Sequence, residues 1–278
     1  MRRLSLILVA VCVTFAQIRP PKPGFNLFSK EQDIQLGKEA AAEVEKQFRV
    51  VDDRELTAYV NNVGKRLVKS PHAGDFPYSF KLVADDSINA FALPGGPMYI
   101  HTGLIKAADN EGQLAGVMGH EIAHIALRHG TNQATKANLI QLPALLAAGA
   151  AGNGMLGQLA QIGIGVGANS VLLKFSRSAE SQADYTGTLI LHDAGYNPIE
   201  AARFFEKLEA LGGQRSGVAQ FFSSHPNPGN RRRAIEALIR QLPRREYAAA
   251  DSREFTRAKE AAGRVSVPKP KAAGAAQK

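Results

Sequence analysis

Two histidines and a glutamate near the middle of the chain have the spacing of a metal-dependent hydrolytic centre. His120 and His124 are four residues apart, which on a helix is an offset of about 40°, so both imidazoles can reach one ion. Glu121 lies one position from His120, about 100° around the helix, where its carboxylate can meet a metal-bound water but is poorly aimed to join the ligands. This pattern predicts a zinc hydrolase, in which the metal lowers the pKa of its water and Glu121 takes the proton as that water attacks a carbonyl. The alternative is a pair of core histidines bonded to carbonyl groups.

A catalytic zinc needs a third protein ligand and leaves a fourth position open. His129 is a poor candidate because it lies about 140° around the helix from His124, and we expect it to be solvated or to cap the helix. Glu180 is a better candidate, because it opens a second helical pattern on which Asp184 shares its face. Glu180 can then bind metal while Asp184 reaches a ligand histidine and fixes its tautomer. The alternative is an exposed acidic face, but the neighbouring residues are apolar, and buried carboxylates need a cation or donors.

The elements that must position these side chains follow from periodicity. Ser29-Lys30-Glu31-Gln32 is typical of a capping box that opens a helix. Alternating segments on either side of the turn Pro94-Gly95-Gly96-Pro97 predict strands, and apolar spacing of three and four from Glu111 predicts a buried helix. The sequence therefore predicts an α+β fold that is mostly helical, with a small sheet beside the catalytic helix. The predicted elements are helices at about 29–48 and 53–69, strands at 78–84, 89–93 and 98–101, and the helix from 111.

Four motifs together make the chain similar to one protease family. They are the run 120–124, the segment Glu180-Ser181-Gln182-Ala183-Asp184, the loop His225-Pro226-Asn227-Pro228, and the strand Asn89-Ala90-Phe91-Ala92-Leu93-Pro94-Gly95-Gly96. These motifs resemble the gluzincin zinc metalloproteases that include the prenyl-protein (CaaX) protease, the heat-shock protease HtpX and the periplasmic beta-barrel-assembly-enhancing protease. The resemblance covers about residues 29–240.

The resemblance implies a gluzincin fold and endoproteolysis of other proteins. It implies one Zn²⁺ per chain, with His120, His124 and Glu180 as the ligands. It also implies that Glu121 is the general base and that Asp184 is the carboxylate behind a ligand histidine.

Two departures from the family narrow this expectation. Integral-membrane members have long hydrophobic helices, whereas the longest apolar run after residue 16 here, Leu142–Gly152, has 11 residues. Other members carry tetratricopeptide arrays, but we find no period of about 34 residues. The sequence therefore predicts a soluble, secreted member without tetratricopeptide repeats.

His225 lies in a loop that is rich in proline, and the resemblance places its His-Pro pair near the metal. Neutral His225 could occupy the fourth zinc position and hold the enzyme silent. It could instead stabilise the oxyanion once substrate displaces the loop, with Arg231 as the nearest fixed positive charge. The alternative to both is a histidine that caps a surface turn beside a solvated Arg231.

The predicted strand near the cleft supplies a substrate site. An extended peptide would add to the edge formed by Ala90, Phe91, Ala92 and Leu93, pairing backbone to backbone, so sequence selectivity should be low. Unfolded or extended proteins, such as damaged or unassembled envelope proteins, would suit this mode of binding. Two other functions compete: a chaperone-like binding protein with a structural zinc, and a non-proteolytic zinc hydrolase with a deep, narrow pocket.

Charge is concentrated at the ends of the chain. Residues 231–278 carry 13 basic and 5 acidic side chains, and Arg2 and Arg3 add two positive charges near the start. The intervening body is nearly neutral, and the chain has no Trp and no basic stripe on a predicted helix. These features argue against nucleic-acid binding by the body.

Residues 1–16 indicate a signal peptide, because Arg2-Arg3 precede the apolar run Leu4–Ala16, which is too short to span a bilayer. Export to the periplasm is therefore expected. The chain's single cysteine, Cys12, follows Val9-Ala10-Val11, which lacks the small residue that usually precedes a lipidated cysteine and so argues against lipid anchoring.

The remaining chain divides into a Pro-rich spacer (17–28), the protease domain (29–242) and a basic, largely disordered tail (243–278) with one helical stretch around Ser252 to Ala262. Residues 139–175 are rich in Gly and Ala. We favour loosely packed helices covering the cleft for this segment; the alternative is a mobile lid that touches a membrane or a client protein. Neither residues 139–175 nor the basic tail indicates an oligomeric state.

Overall fold

The structure is a computed structural model, and it describes residues 18–147, 175–212, 216–249 and 252–268. The proposed signal peptide and residues 148–174 of the Gly- and Ala-rich segment lie outside these ranges. The described helices are α1 (Lys30–Gln47), α2 (Arg54–Leu67), α3 (Thr102–Ala107), α4 (Glu111–Ala126), α5 (His129–Ala147), α6 (Arg177–Asp193), α7 (Ile199–Leu211), α8 (Ser216–Ser224), α9 (Arg231–Ile239) and α10 (Arg253–Arg264), and the strands are β1 (Ser79–Val83), β2 (Ala90–Ala92) and β3 (Pro97–His101).

The predicted α+β class is confirmed, since helices predominate around one small sheet. The capping box at α1 is present: Gln32 N donates to Ser29 Oγ over 3.2 Å, and Ser29 N donates to Gln32 Oε1 over 2.7 Å. Within the described residues, every helix is too short or too polar to cross a bilayer.

Strand β2 forms one edge of the sheet. The order is β1-β3-β2, with β1 parallel and β2 antiparallel to β3. Leu93 N donates to Pro97 O over 2.8 Å and His101 N donates to Asn89 O over 3.0 Å, so the odd-numbered residues of this segment turn their backbone groups toward β3. In an antiparallel ladder the residues between them face away. The N–H and C=O groups of Ala90 and Ala92 therefore point to the open edge.

Helix α4 lies at the centre of the fold. All of its residues from Gly112 to Ile125 are buried. Glycine allows α6 to approach it closely, because a Cβ on Gly187 would lie 3.2 Å from the His120 backbone nitrogen. This close packing brings the first two turns of α6 against the metal-binding face of α4.

The C-terminal end of the described chain packs onto the main core, and its N-terminal end contacts the body. Phe255, Ala258, Ala261 and Ala262 of α10 are buried in the main hydrophobic cluster, and Ser252 Oγ donates to Glu111 Oε2 over 3.0 Å. Burial of this apolar face explains why the folded part extends past Leu242, where the sequence placed its end. The expected spacer also contacts the body: Leu27 N donates to Thr135 Oγ1 of α5 over 3.0 Å.

Candidate active site

Helices α4 and α6 bring four potential metal ligands to one point. One ligand atom from each of His120, His124, Glu180 and His225 lies within 4.8 Å of the other three, and all four residues are buried. His120 Nε2 is 3.3 Å from Glu180 Oε2, and His124 Nε2 is 3.4 Å from Glu180 Oε1. The two Nε2 atoms are 3.1 Å apart. Imidazoles and a carboxylate converging in this way are the donor set that zinc takes in proteins.

Asp184 lies directly behind His120. Its Oδ1 is 3.0 Å from His120 Nδ1, the ring nitrogen that faces away from the cluster. Burial works against a charge on His120, but the carboxylates of Glu180 and Asp184 outweigh it and raise the pKa of His120 to about 9. The contact has the geometry of a carboxylate that orients a metal-binding imidazole.

Arg231 pairs with the two buried acidic residues of α6, Glu180 and Asp184. Its Nε donates to Asp184 Oδ2 over 2.7 Å, its Nη2 donates to Glu180 Oε2 over 3.0 Å, and its guanidinium lies 3.9 Å from the centre of the Phe205 ring. The side chain is buried. Burial excludes the solvated arginine considered from the sequence, whereas the role as support for an oxyanion stays a prediction; Arg231 Nη1 has no hydrogen-bond partner among the described residues. Two buried carboxylates require a cation, and Arg231 provides it.

His129 is also buried, so the expectation of a solvated or capping histidine is wrong. Its Nδ1 lies 3.0 Å from His124 Nδ1, and its Nε2 lies 3.1 Å from Gln182 Oε1. The helical angle used in that expectation assumes one continuous helix. Instead α4 ends at Ala126, and Arg128 has a φ of 56°, so the chain turns before α5 begins and brings His129 back beside His124. Burial lowers the pKa of His129 to about 4.

His225 and Phe175 cover the cluster. His225, just after α8, is 1% exposed, which excludes a histidine on a surface turn. Its Nδ1 lies 3.1 Å from Glu180 Oε1 and its Nε2 lies 3.4 Å from Glu121 Oε1. The Phe175 ring packs on His124 with 3.9 Å between ring centres. The Phe175 side chain has no polar or titratable group, and nothing in the sequence predicted that it would lie at the site.

Glu121 faces the cluster from its own turn of α4. It is 1% exposed, and its Oε1 has no hydrogen-bond partner among the described residues. Burial raises the pKa of Glu121, although nearby His225 and His120 oppose the increase. For Glu180, burial is outweighed by His120 and His225, so its pKa is lowered. The site therefore holds one carboxylate that is stabilised as an anion, Glu180, and one that has a raised proton affinity, Glu121. An unpartnered acceptor beside three ligand-type groups fits a centre that activates water.

The structure thus brings together Glu121 and the four potential ligands, with Asp184 and Arg231 immediately behind them. The edge strand lies beside α4, and a hydrogen bond from the Ala92 backbone acts on the Glu121 carboxylate. Leu93 and Ala92 line a small hollow next to His124, Arg128 and Phe175.

Comparison with known proteins places this geometry in a family context. Residues 54–239 match the profile of Peptidase family M48. The beta-barrel assembly-enhancing protease of Escherichia coli (strain K12) is 32% identical over 235 residues, which are 82% of this chain and 47% of that protein. The mitochondrial metalloendopeptidase OMA1 of Schizosaccharomyces pombe is 31% identical over 221 residues, 77% of this chain and 63% of that protein. The chain therefore spans about half the length of the bacterial relative and under two thirds of the fungal one.

Proposed function

The chain belongs to peptidase family M48, and from this premise we propose that it is a zinc-dependent endopeptidase that degrades damaged or unassembled proteins of the bacterial cell envelope. The observation that carries the proposal is the buried cluster of His120, His124 and Glu180 with the unpartnered carboxylate oxygen of Glu121 beside it.

His120, His124 and Glu180 would hold the zinc. Their Nε2 and Oε atoms converge, as the distances of 3.1 to 3.4 Å between them indicate. When bound, zinc supplies a Lewis acid that acidifies water and polarises the substrate carbonyl. Asp184 accepts a hydrogen bond from His120 Nδ1–H, which keeps the ring proton on Nδ1 and leaves the Nε2 lone pair available to the metal. Arg231 holds Asp184 and Glu180 in place.

Glu121 acts as the general base. Its Oε1 accepts the proton of the attacking water, because it is the carboxylate oxygen at the site that lacks a hydrogen-bond partner among the described residues. A raised proton affinity matches the task of taking that proton and passing it on to the leaving amine. Burial beside the edge strand keeps this exchange away from bulk water.

The edge of β2 binds the substrate. The outward-facing C=O groups of Ala90 and Ala92 and the N–H of Ala90 can pair with an extended peptide, which would lie across the cluster because β2 packs beside α4. The N–H of Ala92 already donates to the Glu121 carboxylate. Pairing through the main chain reads little of the substrate sequence. This mode of binding supports unfolded or extended proteins as the substrates.

His225 acts as a plug in this proposal. It contacts both Glu180 and Glu121 and is almost completely buried, so a peptide reaches the cluster only after His225 moves. Arg231 uses its Nε and Nη2 on Asp184 and Glu180, whose negative charges offset the positive charge that would support His225 as an oxyanion-binding residue. The plug is thus the better supported of its two roles.

Residues 1–16 support a location outside the inner membrane, most simply the periplasm. The name of the bacterial relative refers to beta-barrel assembly, which agrees with envelope proteins as substrates. A peripheral membrane contact through residues 139–175 remains part of the proposal, and most of that segment lies outside the described residues.

A chaperone-like binding protein with a structural zinc is the second candidate. One observation favours it: His225 completes a four-residue set of ligand-type side chains, and structural zinc sites are closed in this way. This candidate leaves the unpartnered Oε1 of Glu121 without a role.

Digestion of β-casein with and without a chelator separates the two candidates. We expect cleavage that the chelator abolishes and added Zn²⁺ restores. The same digestion is run with a zinc-loaded H225A variant, in which the fourth zinc position is open. If neither the wild type nor this variant cleaves β-casein, the binding protein is favoured.

A further inference from the structure

We propose that His129 and Gln182 form an uncharged hydrogen-bond relay that fixes the tautomer of His124 and thereby sets the affinity of the site for zinc. The inference rests on the proposed function in one respect, the assignment of His124 as a ligand. It concerns positioning residues, since neither side chain reaches the ligand cluster itself.

The donors and acceptors of the relay can be assigned from its geometry. His124 Nε2 faces Glu180 and His120, so this nitrogen must offer a lone pair to a metal and the ring proton must sit on Nδ1. The atom 3.0 Å from that Nδ1 is His129 Nδ1, which must therefore accept. The proton of neutral His129 is then on Nε2.

Gln182 completes the relay. Its Oε1 lies 3.1 Å from His129 Nε2, and an amide oxygen is an acceptor. Each of the two hydrogen bonds then joins one donor to one acceptor: His129 Nε2–H donates to the amide oxygen of Gln182, and His124 Nδ1–H donates to His129 Nδ1. The Nε2 atom of His124 is left with a lone pair for the metal. A doubly protonated His129 would set two N–H groups against each other at 3.0 Å, so the arrangement selects the neutral form.

The relay is built into rigid parts of the fold. His129 is the first residue of α5, and Arg128 before it is held by Asp33 Oδ2 and by the carbonyl oxygen of Phe28, each at 2.6 Å. Gln182 lies on α6 between Glu180 and Asp184. Helix α6 thus supplies the ligand Glu180 and supports both ligand histidines. Asp184 contacts His120 directly, and Gln182 supports His124 through His129.

The two ligand histidines therefore differ in kind. His120 is backed by a carboxylate, whereas His124 is backed by an uncharged chain. We expect loss of the relay to weaken zinc binding by about 10–100-fold, the range for partners that orient metal ligands.

Matched substitutions test the relay through metal affinity, measured on the full chain by competition with a chromophoric chelator. H129F keeps a ring but removes the acceptor, and should show the 10–100-fold loss. H129N keeps an acceptor near the position of Nδ1 and should recover most of the affinity. Q182L should weaken binding and Q182E should not, which tests the outer end of the relay without altering a buried residue.

Nitrogen-15 NMR of the zinc-loaded wild-type protein tests the tautomers directly. We expect His124 to carry its proton on Nδ1 and His129 on Nε2. A proton on His129 Nδ1, or equal zinc affinities for H129F, H129N and the wild type, would overturn the relay while leaving the zinc peptidase intact. If the wild type binds no zinc, both the relay and the proposed function fail; E180A serves as the reference for a lost ligand.

Discussion

Glu180 is the residue on which most contacts of the site converge. Its two carboxylate oxygens lie within 3.4 Å of His120, His124, His225 and Arg231. Asp184, one turn later, contacts His120 and Arg231 but is farther from the shared centre. The two carboxylates should therefore affect the metal to different extents.

We expect Glu180→Ala to abolish stoichiometric zinc and Asp184→Asn to weaken it by about 10–100-fold, because the first loses a ligand and the second loses only the partner that orients one. Metal content after dialysis and chelator competition measure both. Glu39→Ala, at an exposed glutamate of α1, is the control. Tight binding of one zinc by the Glu180 variant would mean that the third ligand is misassigned.

His225→Ala should retain zinc and raise the rate of peptide cleavage, because it opens the position that His225 covers. If the closed arrangement is favoured by about 1.4 kcal/mol, the rate should rise about tenfold. Initial rates on a quenched peptide measure the change, with His72→Ala as a control away from the site. A lower rate would favour the oxyanion role, and an unchanged rate would exclude both roles.

At this scale the sequence predicted the groups whose evidence is local. His120, Glu121 and His124 lie within one helical turn or so, and Glu180 and Asp184 lie within another. Phe175, the buried position of His129 and the ion pairs of Arg231 depend on contacts between segments far apart in the chain. The spacing of residues along a helix does not predict such contacts.

At the scale of elements, the site depends on where helices begin and end. The capping box at Ser29 and the apolar spacing after Glu111 are local signals, so α1 and α4 were predictable. The break after Ala126 was not, because a left-handed Arg128 has no sequence signature comparable to glycine. That residue is stabilised by Asp33 from α1, a contact across the fold.

Strand β2 makes a prediction of its own, tested with substrates that are N-methylated at one residue at a time. Since the backbone C=O groups of β2 that face the open edge belong to Ala90 and Ala92, loss of cleavage should alternate along the peptide. Each methylation that removes a paired N–H should slow cleavage by about fivefold, the factor that corresponds to about 1 kcal/mol per hydrogen bond. Steady-state rates across the series would show the alternation; a uniform or absent effect would contradict strand pairing.

At the scale of the whole molecule, the two ends of the described chain belong to the body. Composition suggested a spacer before Ser29 and a tail after Leu242, because proline, alanine and basic residues are enriched there. The apolar face of α10 is short, and only its contacts with α2 and α3 reveal that it is a core element.

Truncation after Leu242 should therefore lower the melting temperature relative to truncation after Pro268, which keeps α10. Losing the burial of Phe255 alone should cost about 3–5 kcal/mol. Thermal unfolding followed by circular dichroism measures both variants. Equal melting temperatures would show that α10 contributes nothing to stability.

The central claim, that Glu121 is the base of a zinc peptidase, is tested most directly by Glu121→Gln with metal content and cleavage of β-casein measured on the same sample. The account predicts one zinc ion per chain, as in the wild type, and a rate reduced by about 10²–10⁴-fold. New amino termini counted by mass spectrometry report the cleavage. Undiminished cleavage by the zinc-loaded variant would contradict the account.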